Sequence, residues 1–158
     1  MSIANWSDDF CTGDALVDKH HRALFDIVNE LEAAMSSGNG RAALGSTLRK
    51  LWTLGALHFA VEEQLMDSQR YPDLLPHRAQ HEQSAAQMKS VMDHYLSGGN
   101  LLPTDVACEL GKWFAAHICD HDRRMIRWMR QNARGVVATE IFDARCSPDG
   151  DRSRRDRR

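Results

Sequence analysis

The sequence predicts an all-α fold, an antiparallel up-down-up-down four-helix bundle, on three observations. Apolar residues recur at alternating spacings of three and four along four long segments, which lines one face of a helix. No segment alternates apolar and polar residues as a half-buried strand would. Short runs rich in Gly, Ser, Asn or Pro separate the segments, and short connections between long helices make sequence neighbours antiparallel. A chain of 158 residues, 42% apolar and 27% charged, suits one contiguous core.

Residues 1–15, with Trp6 and Phe10, are expected to fold across one end of the bundle as a lid. The first helix carries Val17, His21, Leu24, Val28, Leu31 and Met35 on one face and stops at the Ser-Gly-Asn-Gly run ending at Gly40. The second spans about 41–69, with Leu44, Leu48, Leu51, Leu54, His58, Glu62 and Leu65 along one side, and Tyr71-Pro72-Asp73 ends it. The third begins near Pro76, carries His77, His81, Ala85, Met88 and Met92, and ends in Ser97-Gly98-Gly99-Asn100. The fourth opens after Pro103, with Thr104 or Asp105 expected as its cap, and runs through Val106, Leu110, Trp113, His117 and Met125 to about 132. These elements place one domain at 1–134, with 135–158 an extension expected to be disordered.

Charge and composition exclude several classes. The last fourteen residues hold six Arg against three Asp, so a net −2 for the chain leaves −5 on the first 144 residues. That acidic body argues against nucleic acid as a partner. No apolar run approaches the roughly 18 residues of a membrane span, and the start lacks the pattern of a secretory signal; a cytoplasmic location without membrane partners is expected. Cys11, Cys108, Cys119 and Cys146 contain no CxxC pair, against a zinc knuckle or a thioredoxin-like site. They read as ordinary thiols.

Eight histidines are unusual for this length. His58 and Glu62 are four apart, as are His77 and His81, so each pair points from one helix face towards one place. His21 and His77 lie near the starts of odd helices and His58 and His117 in the later halves of even ones, which brings all four to one end of an alternating bundle. His117 and Asp122 are five apart, an awkward spacing for one face, and His121 at i+4 is a rival; His20 competes likewise with His21. Buried imidazoles and carboxylates at one level need neutralising partners, which divalent metal ions supply. Met66, Met88, Met92, Met125 and Met129 read as core filler, and Glu63 as a solvated residue.

The motifs W-x3-F-x2-G at Trp6, Phe10 and Gly13, D-x2-H-x2-L-F from Asp18 to Phe25, HFAVEEQLM from His58 to Met66, YP at Tyr71 with His77 and His81, and WFAAHICDHD from Trp113 to Asp122 together resemble the bacterial single-domain hemerythrins. The resemblance covers about 6–129. It implies two iron ions joined by an oxo or hydroxo bridge, with His21, His58, His77, His81 and His117 as terminal ligands and Glu62 and Asp122 as bridging carboxylates; His20 and His121 fall outside that set. By the same analogy His77, His81 and His117 saturate one iron, while His21 and His58 leave a position on the other for O2. Leu24, Trp113, Phe114 and Ile118 are the implied apolar surround of the O2 pocket. Phe114 departs from the family, which usually has Leu beside the pocket.

The expected function is therefore reversible O2 binding, for storage, delivery or supply, by a protein that is not an enzyme. Two alternatives stand beside it: an oxygen or redox sensor acting through an unidentified protein partner, and a diiron enzyme consuming peroxide or nitric oxide.

Overall fold

The computed structural model describes residues 6–133. The expected extension at 135–158 with its arginines, Cys146, and the first five residues of the expected lid lie outside the described residues. A 3-10 turn at Asp8–Phe10 precedes α1 (Ala15–Ser36), α2 (Gly40–Ser68), α3 (Leu74–Leu96) and α4 (Pro103–His117); α4 passes through a π turn at Ile118–Asp122 into a further helical stretch at 123–133. Among the described residues there is no strand. The fold is the four-helix bundle that the periodicity predicts.

Local chemistry sets the helix ends. Asp14 starts α1 by accepting from the N–H groups of Leu16 and Val17, both at 3.0 Å, which satisfies two of the donors a helix start leaves unpaired. At the C-terminal end of α1, Gly38 takes φ 78° and Asn39 N–H donates back to the Ala34 carbonyl at 2.7 Å, the glycine-dependent stop that the sequence signals. The end of α2 has the same geometry without a glycine: Arg70 sits at φ 54° while Tyr71 N–H reaches the Met66 carbonyl at 2.8 Å. The start of α4 corrects one expectation. Pro103 is itself the first helical residue and Leu102 the cap, so neither Thr104 nor Asp105 caps it; proline's fixed φ and missing N–H suit that first position.

The apolar faces meet as the spacing requires. Leu24, Phe25, Val28, Leu31, Leu44, Leu48, Leu51, Val106, Phe114 and Ile118 form the main buried cluster, and Val17, Met66, Tyr71, Met125 and Ile126 a second one at the histidine end. Helix α1 packs on α2 and α4, and α2 packs on α3. Gly45 lets the Tyr95 ring of α3 come against α2, since a Cβ there would lie 2.8 Å from the phenol oxygen. Between α2, α3 and α4 the packing is looser, leaving an apolar groove of about 840 Å3 lined by Phe59, Met88, Val91, Leu110 and Trp113 among others.

The described part of the lid is seated on the flank of α1. Trp6 and Phe10 pack on Phe25, with ring centroids 5.7 and 5.2 Å away, and the Arg22 guanidinium lies 4.4 Å over Trp6. The 3-10 turn also touches the π turn. Asp18 pins the loop that follows, accepting from the Thr12 N–H and hydroxyl at 2.8 and 2.7 Å and from the Gly13 N–H at 3.2 Å.

Candidate metal centre

All seven residues that the resemblance implies as ligands converge at one end of the bundle. They are His21 from α1, His58 and Glu62 from α2, His77 and His81 from α3, His117 at the end of α4 and Asp122 at the end of the π turn. None is more than 6% exposed. Their ligand atoms form two overlapping groups, one of Glu62, His77, His81, His117 and Asp122, the other of His21, His58, Glu62 and Asp122; within each group the atoms lie within 4.8 Å of one another. Glu62 and Asp122 belong to both groups.

Asp122 presents one oxygen to each group. Its Oδ1 faces His77 Nε2 at 3.1 Å and His117 Nε2 at 3.2 Å, while its Oδ2 faces His21 Nε2 at 3.0 Å and His58 Nε2 at 4.0 Å. Glu62 Oε2 stands 3.2 Å from His81 Nε2, 3.6 Å from His77 Nε2 and 3.7 Å from His58 Nε2. Yet His21 Nε2, His81 Nε2, His117 Nε2, both Glu62 oxygens and Asp122 Oδ2 are buried without a hydrogen-bond partner. Lone-pair donors aimed at a common interior point and left unpaired are costly unless cations lie among them. The donor set therefore fits a pair of divalent metal ions.

Protonation follows from the same burial. Burial holds His58 down to about 3, against the attraction of Asp122, and burial with the neighbouring His77 and His117 takes His81 down to about 2. Both imidazoles are neutral at neutral pH, as metal ligation requires. Burial and the facing Asp122 push Glu62 well above the usual carboxylate range. Burial opposes ionisation of Asp122 as well, but the imidazoles of His117, His21 and His77 outweigh it and hold Asp122 well below its usual value. In the metal-free state one carboxylate is thus protonated and the other ionised.

These shifts predict a pH dependence for the metal-free protein. Below the ordinary histidine value of 6.5 the unfolded chain protonates His58 and His81 and the fold does not; the fold keeps the Glu62 proton that the unfolded chain releases above 4.5. Burial lowers His20 and His121 as well, which adds to the histidine imbalance, so the unfolded state binds more protons than the fold as pH drops below 6.5. Stability is expected to fall with pH from there, and more steeply below 4.5, where the opposing contribution of Glu62 ends. Urea unfolding of the metal-free protein at pH 7, 6 and 5 measures the fall, and a flat profile would contradict the assigned protonation states.

Both rivalries are separated by geometry. His20 is buried edge-on to the His58 ring at 5.9 Å, and His121 is half-buried with its ring 5.1 Å from His117; neither belongs to a ligand group. The π turn is the reason Asp122, rather than His121, joins the buried cluster. A wider turn brings residues five apart onto one face, so Asp122 follows His117 inward.

Glu63 corrects an expectation. It is not simply solvated: its carboxylate accepts from Arg78 Nε at 2.9 Å and lies 3.1 Å from His81 Nδ1, orienting that ring through the nitrogen that faces away from the centre. Phe59, unmarked by the sequence, stacks on His81 at 4.1 Å, and Trp113 stacks on His117 at 5.2 Å. Leu24, Phe114 and Ile118 are buried and Trp113 half-buried. Because partners of this kind fix ring orientation and ligand basicity, Glu63→Gln is expected to weaken metal binding by about 10- to 100-fold while leaving the fold intact. Competition against a chelator of known affinity measures this, and an unchanged affinity would return Glu63 to a surface role.

A family profile described as the hemerythrin HHE cation binding domain matches residues 12–129. A bacteriohemerythrin of Ralstonia nicotianae is 31% identical over 140 residues, covering 89% of this chain and 97% of the relative. A bacteriohemerythrin of Methylococcus capsulatus is 27% identical over 124 residues, covering 78% and 94%. Among solved structures, a leucine-to-phenylalanine mutant superposes with a TM-score of 0.75 at 26% identity, covering 82% of this chain and 98% of that one. A hemerythrin with a leucine-to-alanine substitution gives 0.72 at 27% identity, covering 78% and 94%.

Proposed function

The chain belongs to the hemerythrin family, and from that premise we propose that it binds O2 reversibly at a pair of non-heme iron ions, serving oxygen storage, delivery or supply. The observation that carries this reading is the pair of overlapping ligand groups that share Glu62 and Asp122. His77, His81 and His117 serve one position and His21 and His58 the other. The second position has one protein donor fewer, and it is there that O2 would be taken up. Iron in the two positions would supply the electrons for that uptake and recover them on release.

The protein's own side chains do the rest. Five imidazole ligands against two carboxylates favour the ferrous state more than a carboxylate-rich set does. Leu24 stands one turn beyond His21, Ile118 directly follows His117, and both are 2% exposed; with Phe114 they keep water away and offer neither acid nor base. That surround favours a binder over an enzyme, since turnover needs proton transfer at the bound oxygen. Phe114 narrows the pocket relative to leucine and is expected to slow O2 entry without altering the ligands. All seven candidate ligands lie between residues 21 and 122, which supports 1–134 as the working unit and 135–158 as an extension to it.

The test is spectroscopic. Reduced, iron-loaded protein is expected to gain a visible absorption band on oxygenation, lose it when O2 is removed, and repeat the cycle. His20→Ala and His121→Ala should preserve the cycle. Irreversible consumption of O2 over many turnovers, with a co-substrate oxidised in step, would establish an enzyme instead.

A further inference from the structure

Away from the histidine cluster, Arg123, Arg127 and Arg130 stand four and three residues apart on the helical stretch 123–133 and so share one face. With Gln131 they meet Cys11 and Thr12 of the N-terminal loop around a cavity of about 270 Å3. Among the described residues Arg78 pairs with Glu63 and Arg124 with Asp73, but these three arginines have no carboxylate partner. The carboxylates nearest the loop are engaged elsewhere: Asp18 of α1 accepts from Thr12 and Gly13, and Asp14 caps α1. Arg22, whose guanidinium lies 3.7 Å from the Cys11 sulfur, adds further positive charge beside the loop. Gly13 admits the arrangement, because a Cβ at its φ of 92° would lie 2.2 Å from Arg130 Nη1.

Three arginines line one cavity, and their summed positive charge favours an anion there. The planar donor forks match the oxygens of a phosphate group, and 270 Å3 holds a phosphate or a short phosphate monoester with its water. The geometry points to a binding site for a small phosphate-type oxyanion between the Cys11–Thr12 loop and the stretch 123–133. It is independent of what the histidine cluster binds.

Cys11 serves as the reporter, since it lines the cavity, while Cys108 and Cys119 are exposed elsewhere. The metal-loaded full chain is titrated calorimetrically with inorganic phosphate and, separately, with glycerol 2-phosphate, against chloride at matched ionic strength. The rate of alkylation of each cysteine by N-ethylmaleimide is followed in parallel. The expected result is saturable binding of one anion per chain, with Cys11 alkylation slowed by about fivefold or more and Cys108 and Cys119 unaffected. Arg127→Gln should weaken binding by about tenfold, whereas Arg124→Gln, which removes the same charge outside the cavity, should not. Equal affinity for the two probes would identify the free anion as the ligand, and clearly tighter binding of the ester a phosphate monoester. Protection of Cys11 no greater than in chloride, or equal losses in the two arginine variants, would overturn the proposal.

Discussion

Glu62→Ala is expected to reduce the iron bound per chain from two to one or none, read by metal analysis after anaerobic loading and desalting. Glu62 belongs to both ligand groups, and both of its oxygens are buried without hydrogen-bond partners. Its removal takes one donor from each position and leaves His81 Nε2, 3.2 Å from Glu62 Oε2, facing a cavity. Asp122 alone would then have to hold the second position with His21 and His58, and two adjacent cations with one shared carboxylate repel more than they are bound. Affinity at that position should fall by at least about a hundredfold, more than the loss of an orienting partner such as Glu63 causes. Retention of two irons by Glu62→Ala would show that Glu62 is not a bridge.

Removing the metal from the intact protein should have an effect of similar size on stability. The orphaned imidazole and carboxylate atoms of the metal-free centre each cost about 1–3 kcal/mol, and several together approach the roughly 5–15 kcal/mol that holds a domain folded. A ligand that binds only the folded state returns that free energy. For a chain of this size a gain of about 5 kcal/mol raises Tm by about 10–20 °C. Calorimetry of the iron-loaded and chelator-treated protein at pH 7 is expected to show that difference. Equal midpoints would mean that the cluster is satisfied without metal.

Much of this was legible in the sequence because helical spacing carries it. The pairs His58 with Glu62 and His77 with His81 sit at i and i+4, and the alternation of the bundle brings them to one end. The end of α1 followed from the glycine at Gly38, while at Pro103 the proline marked the start of α4 but not its cap. What depends on contacts between helices was not legible. Glu63 orients His81 from another helix, and Phe59 stacks on the same ring; on their own helix both resemble solvated or filler positions. Spacing alone left His121 and Asp122 level, because a five-residue separation faces inward only if the helix widens locally. The resemblance favoured Asp122, and the π turn supplies the physical reason.

That turn has a consequence for chain length. Ahead of it the inward residues of the fourth helix run through Val106, Leu110, Trp113 and His117. The same frame carried forward would bring His121 and Arg124 inward; the fully buried residues are instead Asp122 and Met125, each one position later. One surplus residue is therefore swallowed within Ile118–Asp122. Adding a residue to a straight α-helix turns everything after it by about 100°, which would have swung Met125 and Ile126 out of the second apolar cluster. Conversely, a chain lacking the exposed Cys119 could close the turn into ordinary α-helix and still present its aspartate and methionines on the same side. The fourth helix is in effect a spliced element, with the carboxylate shared by both ligand groups placed at the join.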